Sequence, residues 1–256
     1  MKRHTLLIIT LLLFSVPNVW SQVGKPRTDL SVGGSAGILM NSVSFTPSVK
    51  QSLKMGMTGG VTARYICERY FNMICGFQAE LNYAQAGWKE NIDPTLQTYT
   101  YQRTAHYLQV PLMAHLGFGR ERGGAKGFLN IGPQLGYCIG ETEKRGGDWT
   151  YHNQLMAYNQ AIDQHDIKIQ QKFEYGIVGG LGFEFSTKKG HRFLLEGRYF
   201  FGLNSIFNDS KKDVFSRSAN SNLSAKVSYL FDVIKTPNFE EPKRKKKKSK
   251  SENTEL

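Results

Sequence analysis

The sequence predicts an all-β protein: an eight-stranded antiparallel up-and-down transmembrane β-barrel with long external loops. Three observations carry this. Apolar residues recur at every second position over segments of about 11–18 residues, against the 5–6 of an ordinary globular strand. The connections between these segments alternate between short and long. The face opposite the apolar one is polar and studded with glycine, which suits a crowded interior better than an outer wall.

Residues 1–21 stand apart from this pattern. Lys2 and Arg3 precede the apolar run 6–14, and Val19-Trp20-Ser21 offers a cut ahead of Gln22. This is the layout of a secretory signal peptide, too short for a membrane span. Beyond it no apolar run reaches the roughly 18 residues of a helical span, so crossing by helices is excluded.

Eight strands are expected, near 29–40, 56–67, 73–88, 101–117, 127–140, 173–186, 191–204 and 218–231. Short turns are expected over 68–72, 119–126 and 187–190, and long loops over 41–55, 89–100, 141–172 and 205–217. In an up-and-down arrangement every short turn falls at one end and every long loop at the other. Outer-membrane barrels show this asymmetry, with short periplasmic turns and longer external loops.

Which face is the inside decides between a soluble lipocalin-like barrel and a membrane barrel. In "FLLEGRYFFGL" (193–203), Phe193, Leu195, Tyr199 and Phe201 share one face, and Leu194, Glu196, Arg198 and Phe200 share the other, because strand side chains alternate. In "EYGIVGGLGFE" (174–184), Glu174, Gly176, Val178, Gly180, Gly182 and Glu184 oppose Tyr175, Ile177, Leu181 and Phe183. Repeated glycine has no use on a wetted wall, whereas inside a narrow eight-stranded barrel it relieves crowding. The polar face is therefore the lumen. It carries Gln78, Asn82, Gln109, His115, Asn130 and Gln134 beside a balanced charge network of Arg64, Glu80, Glu184, Glu196, Arg198 and Lys226. Isolated buried charge is expensive, so these six are expected to pair.

The chain carries a formal net charge of +12. Residues 22–239 hold 24 Lys and Arg against 17 Asp and Glu; much of the remaining excess lies in "KRKKKKSK" (243–250). Lys243, Arg244, Lys245, Lys246, Lys247, Lys248 and Lys250 follow two prolines with no apolar company, the composition of a disordered tail. A signal peptide takes such a tail away from nucleic acid. The domain plan is thus signal peptide 1–21, barrel 22–231 and basic tail 232–256, with both termini on the short-turn, periplasmic side.

Against that frame of strands, "GFQAELNYAQAGWK" (76–89), "HYLQVPLMAHLGFG" (106–119), "FLNIGPQLGYCIG" (128–140), "GIVGGLGFEF" (176–185) and "EGRYFFGLNSIF" (196–207) resemble PorT-type outer-membrane β-barrels in order and spacing. Two departures stand out. Gln109 occupies a position that is often acidic in that family, and the chain continues 25 residues past Phe231, where many such barrels end. The resemblance implies residence among outer-membrane lipid and insertion by the barrel-assembly machinery. It further implies a part in protein export of the type IX kind, as a membrane-embedded component rather than an open pore. The alternative is a general porin-like or surface-interaction barrel working through its external loops. Other secretion-system components, or an acidic periplasmic partner held by the tail, are the implied partners.

No catalytic constellation emerges, so an enzyme is not expected, nor a cofactor or metal. "DQHD" (163–166) lacks further ligands of fixed spacing. "GRERGG" (119–124) lacks the phosphate-loop pattern and opens no helix, leaving a turn. Cys67 and Cys75 flank a short turn on the lipid-side parity of neighbouring strands; a disulfide and two small apolar residues both fit.

Overall fold

The computed structural model describes residues 25–70, 72–91, 99–120, 122–150, 165, 167–209 and 213–236. The expected signal peptide and the basic block 243–250 lie outside them.

Among the described residues nine strands form: β1 (Lys25–Thr46), β2 (Gln51–Ser52), β3 (Lys54–Tyr70), β4 (Met73–Glu90), β5 (Thr100–Gly119), β6 (Gly124–Gly146), β7 (Phe173–Ser186), β8 (His191–Gly202) and β9 (Arg217–Ile234). β2 is a two-residue piece paired with the outer end of β4. The other eight run β4-β3-β1-β9-β8-β7-β6-β5, and β5 pairs back to β4. The ring is closed, so no long edge is left for a foreign strand to pair with.

All eight expected strands are present, and the face assignment holds along each. On β8, Leu195 is 56% exposed and Glu196 only 2%. The lipid-side belt carries Ile38, Val61, Leu81, Leu135, Ile177 and Val227. Aromatic rings gather at both rims of this belt: Phe118, Phe183, Phe185 and Phe193 toward the short turns, Tyr137, Phe173, Tyr175 and Phe201 toward the long loops. On β7, the ten residues separating Phe185 from Tyr175 rise about 3.3 Å each and tilt about 40°, spanning about 25 Å along the axis, the height of a bilayer's apolar band. A histidine–tyrosine pair marks each rim. His106 Nδ1 lies 2.6 Å from the Tyr83 hydroxyl on one, and His191 Nδ1 lies 2.8 Å from the Tyr229 hydroxyl on the other.

The strands outrun the expected bounds at the long-loop end. β5 and β6 stay paired from Gly119↔Lys126 up to Thr100↔Gly146, with one register shift between His106 and Tyr107, so residues 141–146 are strand rather than loop. Over 141–146 both faces of β6 are polar and the period-2 hydrophobic signal fades, while backbone pairing with β5 continues. The closing strand also differs. β9 runs past Phe231 to Ile234, because Asp232 points inward and is held there by Arg192 and Ser31. Phe231 is therefore not the last residue of the barrel, and the boundary expected at 231/232 falls inside a strand.

The turn before β8 closes with a Thr187 N–H bond to the His191 carbonyl at 2.8 Å, and Gly190 adopts φ +97°, a conformation that favours glycine. β5 ends at Gly119 and β6 opens at Gly124, so the connection expected at 119–124 joins these two strands. Thr28 N–H donates to Thr236 Oγ1 and Thr236 N–H to Asp29, so the two described ends of the chain meet at the short-turn rim.

Candidate functional site

The lumen is the chemically richest region, and it is filled. From the short turns upward the first layer centres on Glu184. Arg64 Nη1 donates to it at 2.5 Å and Arg192 Nη1 at 2.9 Å, with Lys126 Nζ 3.2 Å away. Arg192 Nε also donates to Asp232 at 2.6 Å. Beside this layer pack Phe128, Leu194 and Leu230, with the Arg64 guanidinium 5.4 Å from the Phe128 ring centroid.

The second layer centres on Glu80, which accepts five bonds. Arg198 supplies two at 2.8 and 2.5 Å, Lys226 one at 2.8 Å, and the Gln78 and Asn82 amides one each. Glu196 accepts from Arg198 at 2.7 Å and from Asn130 at 2.8 Å. Gln78 joins the layers, because its carbonyl accepts from Arg64 Nε at 2.8 Å. All six charged residues expected in the lumen thus belong to one connected network. The sequence reasoning missed its members Lys126, Arg192 and Asp232. They lie just outside or at the margins of the expected strands, and extending each strand by its own alternation would have placed them inside.

The glycines do what the interior demands. A methyl at Gly180 would stand 2.7 Å from both the Arg198 side chain and the Glu196 carboxylate, and one at Gly182 would meet the Phe128 ring. Above the second layer Met113, Val178 and Phe200 pack together. Next comes Glu174, which accepts from Asn220 Nδ2 at 2.6 Å. Gln109 and Glu174 are both paired in register with Gly136. Gln109 and the Glu174 carboxylate, two strands apart, thus face each other across a residue with no side chain.

The outer mouth is capped. Phe45, Trp88, Phe207 and Phe215 pack edge-on and stacked at centroid distances of 4.8–6.3 Å. The buried Arg103 lies over Trp88, pairs with Glu143, and donates to the carbonyls of Ile167 and His165. His165 bonds the Glu90 carboxylate at 3.0 Å and sits among Tyr99, Tyr101 and Trp149. The chain returning to β7 is therefore tied across the mouth. In the loop itself Thr150 donates two bonds to Asp148, at 2.6 and 2.9 Å, holding that carboxyl below its usual range.

Among the described residues no group of three or more His, Cys, Asp or Glu side chains is arranged to hold a metal. Of "DQHD", His165 serves the cap, and its three neighbours lie outside the described residues. Cys67, Cys75 and Cys138 are free thiols. A bulge between Ile66 and Glu68 sets Glu68, not Cys67, opposite Cys75.

The profile of the outer membrane protein beta-barrel domain matches residues 20–208. The chain belongs to that family. Solved members of the outer-membrane barrel class are similar to this family member in form. OprG from Pseudomonas aeruginosa is 12% identical, covers 82% of this chain and 95% of its own, and gives a TM-score of 0.45. Neisserial surface protein A is 12% identical over 78% of this chain and 95% of its own, with a TM-score of 0.38. Ail of Yersinia pestis is 11% identical over 78% and 98%, with a TM-score of 0.34. No curated protein matches the chain. The chain is an outer-membrane β-barrel protein.

Proposed function

We propose that the protein is a plugged, non-enzymatic barrel that acts as a membrane-embedded scaffold through its long-loop surface, with the short turns and both termini in the periplasm. The observation that carries this is the continuous filling of the lumen, from the Glu184 layer through the Glu80 layer to the aromatic cap. A narrow barrel packed with bonded side chains leaves no aqueous path. What remains for function is surface: the β5–β6 ribbon standing above the apolar belt, and the chain tied across the mouth. Purified protein reconstituted in planar bilayers should show no stable conductance steps; sustained large openings would overturn the reading and favour a porin.

A part in protein export, of the type IX kind that PorT-type barrels imply, is the second reading. It is favoured by the segments 76–89, 106–119, 128–140, 176–185 and 196–207, which make up consecutive strands β4 to β8 with the start of the loop beyond. A plugged barrel does not pass a folded protein, so its place in export would be docking or assembly beside other secretion components. Signal-peptide delivery and insertion by the barrel-assembly machinery belong to this reading, as does an acidic periplasmic partner for Lys243–Lys250. Deleting the gene and assaying secreted proteases tests it: unchanged secretion removes the export role and leaves the surface scaffold.

A further inference from the structure

The lipid-facing wall carries a groove on the short-turn half of β6, β7 and β8. Gly127 and Gly197 floor it, and Phe118, Leu181, Phe183 and Leu195 wall a volume of about 550 Å³. Its volume falls in the range of about 300–1,000 Å³ that encloses one small ligand. The groove opens outward: a methyl built at Gly197 would meet nothing within 4 Å. The lining is almost wholly apolar, so water is a poor occupant.

A second feature lies at the same end of the barrel. The turns 120–123 and 187–190 adjoin, because a methyl on Gly123 would come 2.9 Å from Lys188 Cγ, and one on Gly124 would come 2.7 Å from Arg120 Cδ. Arg120, Lys188 and Lys189 are all exposed. Lys235 reaches the same rim, with its Nζ donating to the Lys189 carbonyl at 2.8 Å. In sequence these two turns offer only Glu121 as a counter-charge, and the carboxylates that reach the rim from neighbouring strands are engaged, Asp29 by Arg122 at 3.2 Å and Asp232, beside Gly190, by Arg192 at 2.6 Å. A cationic rim therefore stands next to an apolar slot, at the depth where the Phe118, Phe183 and Phe185 rings mark the interface.

We propose that this groove holds one acyl chain of an anionic glycerophospholipid of the periplasmic leaflet, with its phosphate on Arg120 and Lys188. The choice of leaflet rests on the orientation proposed above. The slot takes the chain, and the two cations select the headgroup by charge. Each cation near an anionic headgroup is worth a factor of about five, so the pair gives a preference of at least about tenfold over a zwitterionic lipid.

The test is native mass spectrometry of the full-length barrel, delipidated, refolded in detergent, and titrated with phosphatidylglycerol, phosphatidylcholine and lipid A. The expected result is one phosphatidylglycerol retained per barrel, at least about tenfold tighter than phosphatidylcholine. Gly197→Phe fills the slot from the lipid side without touching the lumen, and Lys188→Gln removes one cation. Both should fold, as shown by an unboiled gel shift, and both should weaken phosphatidylglycerol by about fivefold or more. Equal retention of the two phospholipids, or wild-type binding by Gly197→Phe, overturns the proposal. A preference for lipid A would overturn the phospholipid assignment by placing the short turns in the outer leaflet, a fault in the orientation rather than in the groove.

Discussion

Replacing Glu80 by leucine should be among the most damaging single substitutions in the barrel. Glu80 accepts five hydrogen bonds, three of them from Arg198 and Lys226. Without it Lys226 keeps only the Asn82 carbonyl, at 3.4 Å, and Arg198 must rely on Glu196. The layer falls from two carboxylates facing two cations to one facing two. Breaking a buried ion pair from one side costs about 3–5 kcal/mol. Glu196→Leu leaves the same formal imbalance, but Glu80 still clamps Arg198 from both nitrogens and holds Lys226. Its cost should be that of lost bonds to charged groups, about 1.5–3 kcal/mol. Adding Lys226→Met to Glu80→Leu restores one cation against one carboxylate and should recover more than half the loss. Val61→Leu, on the lipid face, is the neutral control. Urea titration of refolded protein, followed by tryptophan fluorescence and by unboiled gel mobility, gives the ranking. The reasoning fails if Glu80→Leu lies within about 1 kcal/mol of wild type, or if the added Lys226→Met makes it worse.

Adjacent glycines test the face assignment. Gly180→Val drives a side chain into Arg198 and Glu196 and should cost about 1–3 kcal/mol, whereas at Gly179 a methyl meets nothing within 4 Å and Gly179→Val should be neutral; equal unfolding midpoints would refute the face assignment, and the reverse order would show the wall to be inverted. Trp88→Ala should cost about 3–5 kcal/mol as a buried aromatic deletion, yet planar-bilayer recordings should stay silent because two charged layers still block the path. Truncation after Thr236 keeps the whole of β9 and should leave a heat-modifiable, membrane-inserted barrel; if an acidic partner uses the tail, its salt-sensitive co-purification disappears with residues 237–256.

Much of this was legible because a strand's period is short and local. Leu195 and Glu196 are neighbours whose opposite fates follow from alternation alone, and each expected lumenal charge proved buried. What the sequence did not carry was who meets whom. Arg64 and Glu184 lie 120 positions apart, and their contact depends on how the closed ring staggers its strands. The cap was hidden for a different reason. Phe207 and Phe215 come from a connecting loop that has no period to read, and only the folded mouth shows Phe207 against Trp88 and Phe215 against Phe45 and Phe207. The extra length of β6 escaped notice because backbone pairing persists where apolar alternation stops.

The network in the lumen also has a temporal meaning. Glu80 is joined to Arg198 and Lys226 across 118 and 146 residues, so β4 cannot satisfy its own charge until β8 and β9 arrive. A slip of one residue by any of these strands would turn its charges toward hydrocarbon and leave its partners alone. The wall is tolerant, since one greasy side chain facing lipid is much like another. The interior is not, and it acts as a combination lock read by all the strands at once. Closure, register and membrane insertion therefore become a single late event, completed only when the last strand has been delivered.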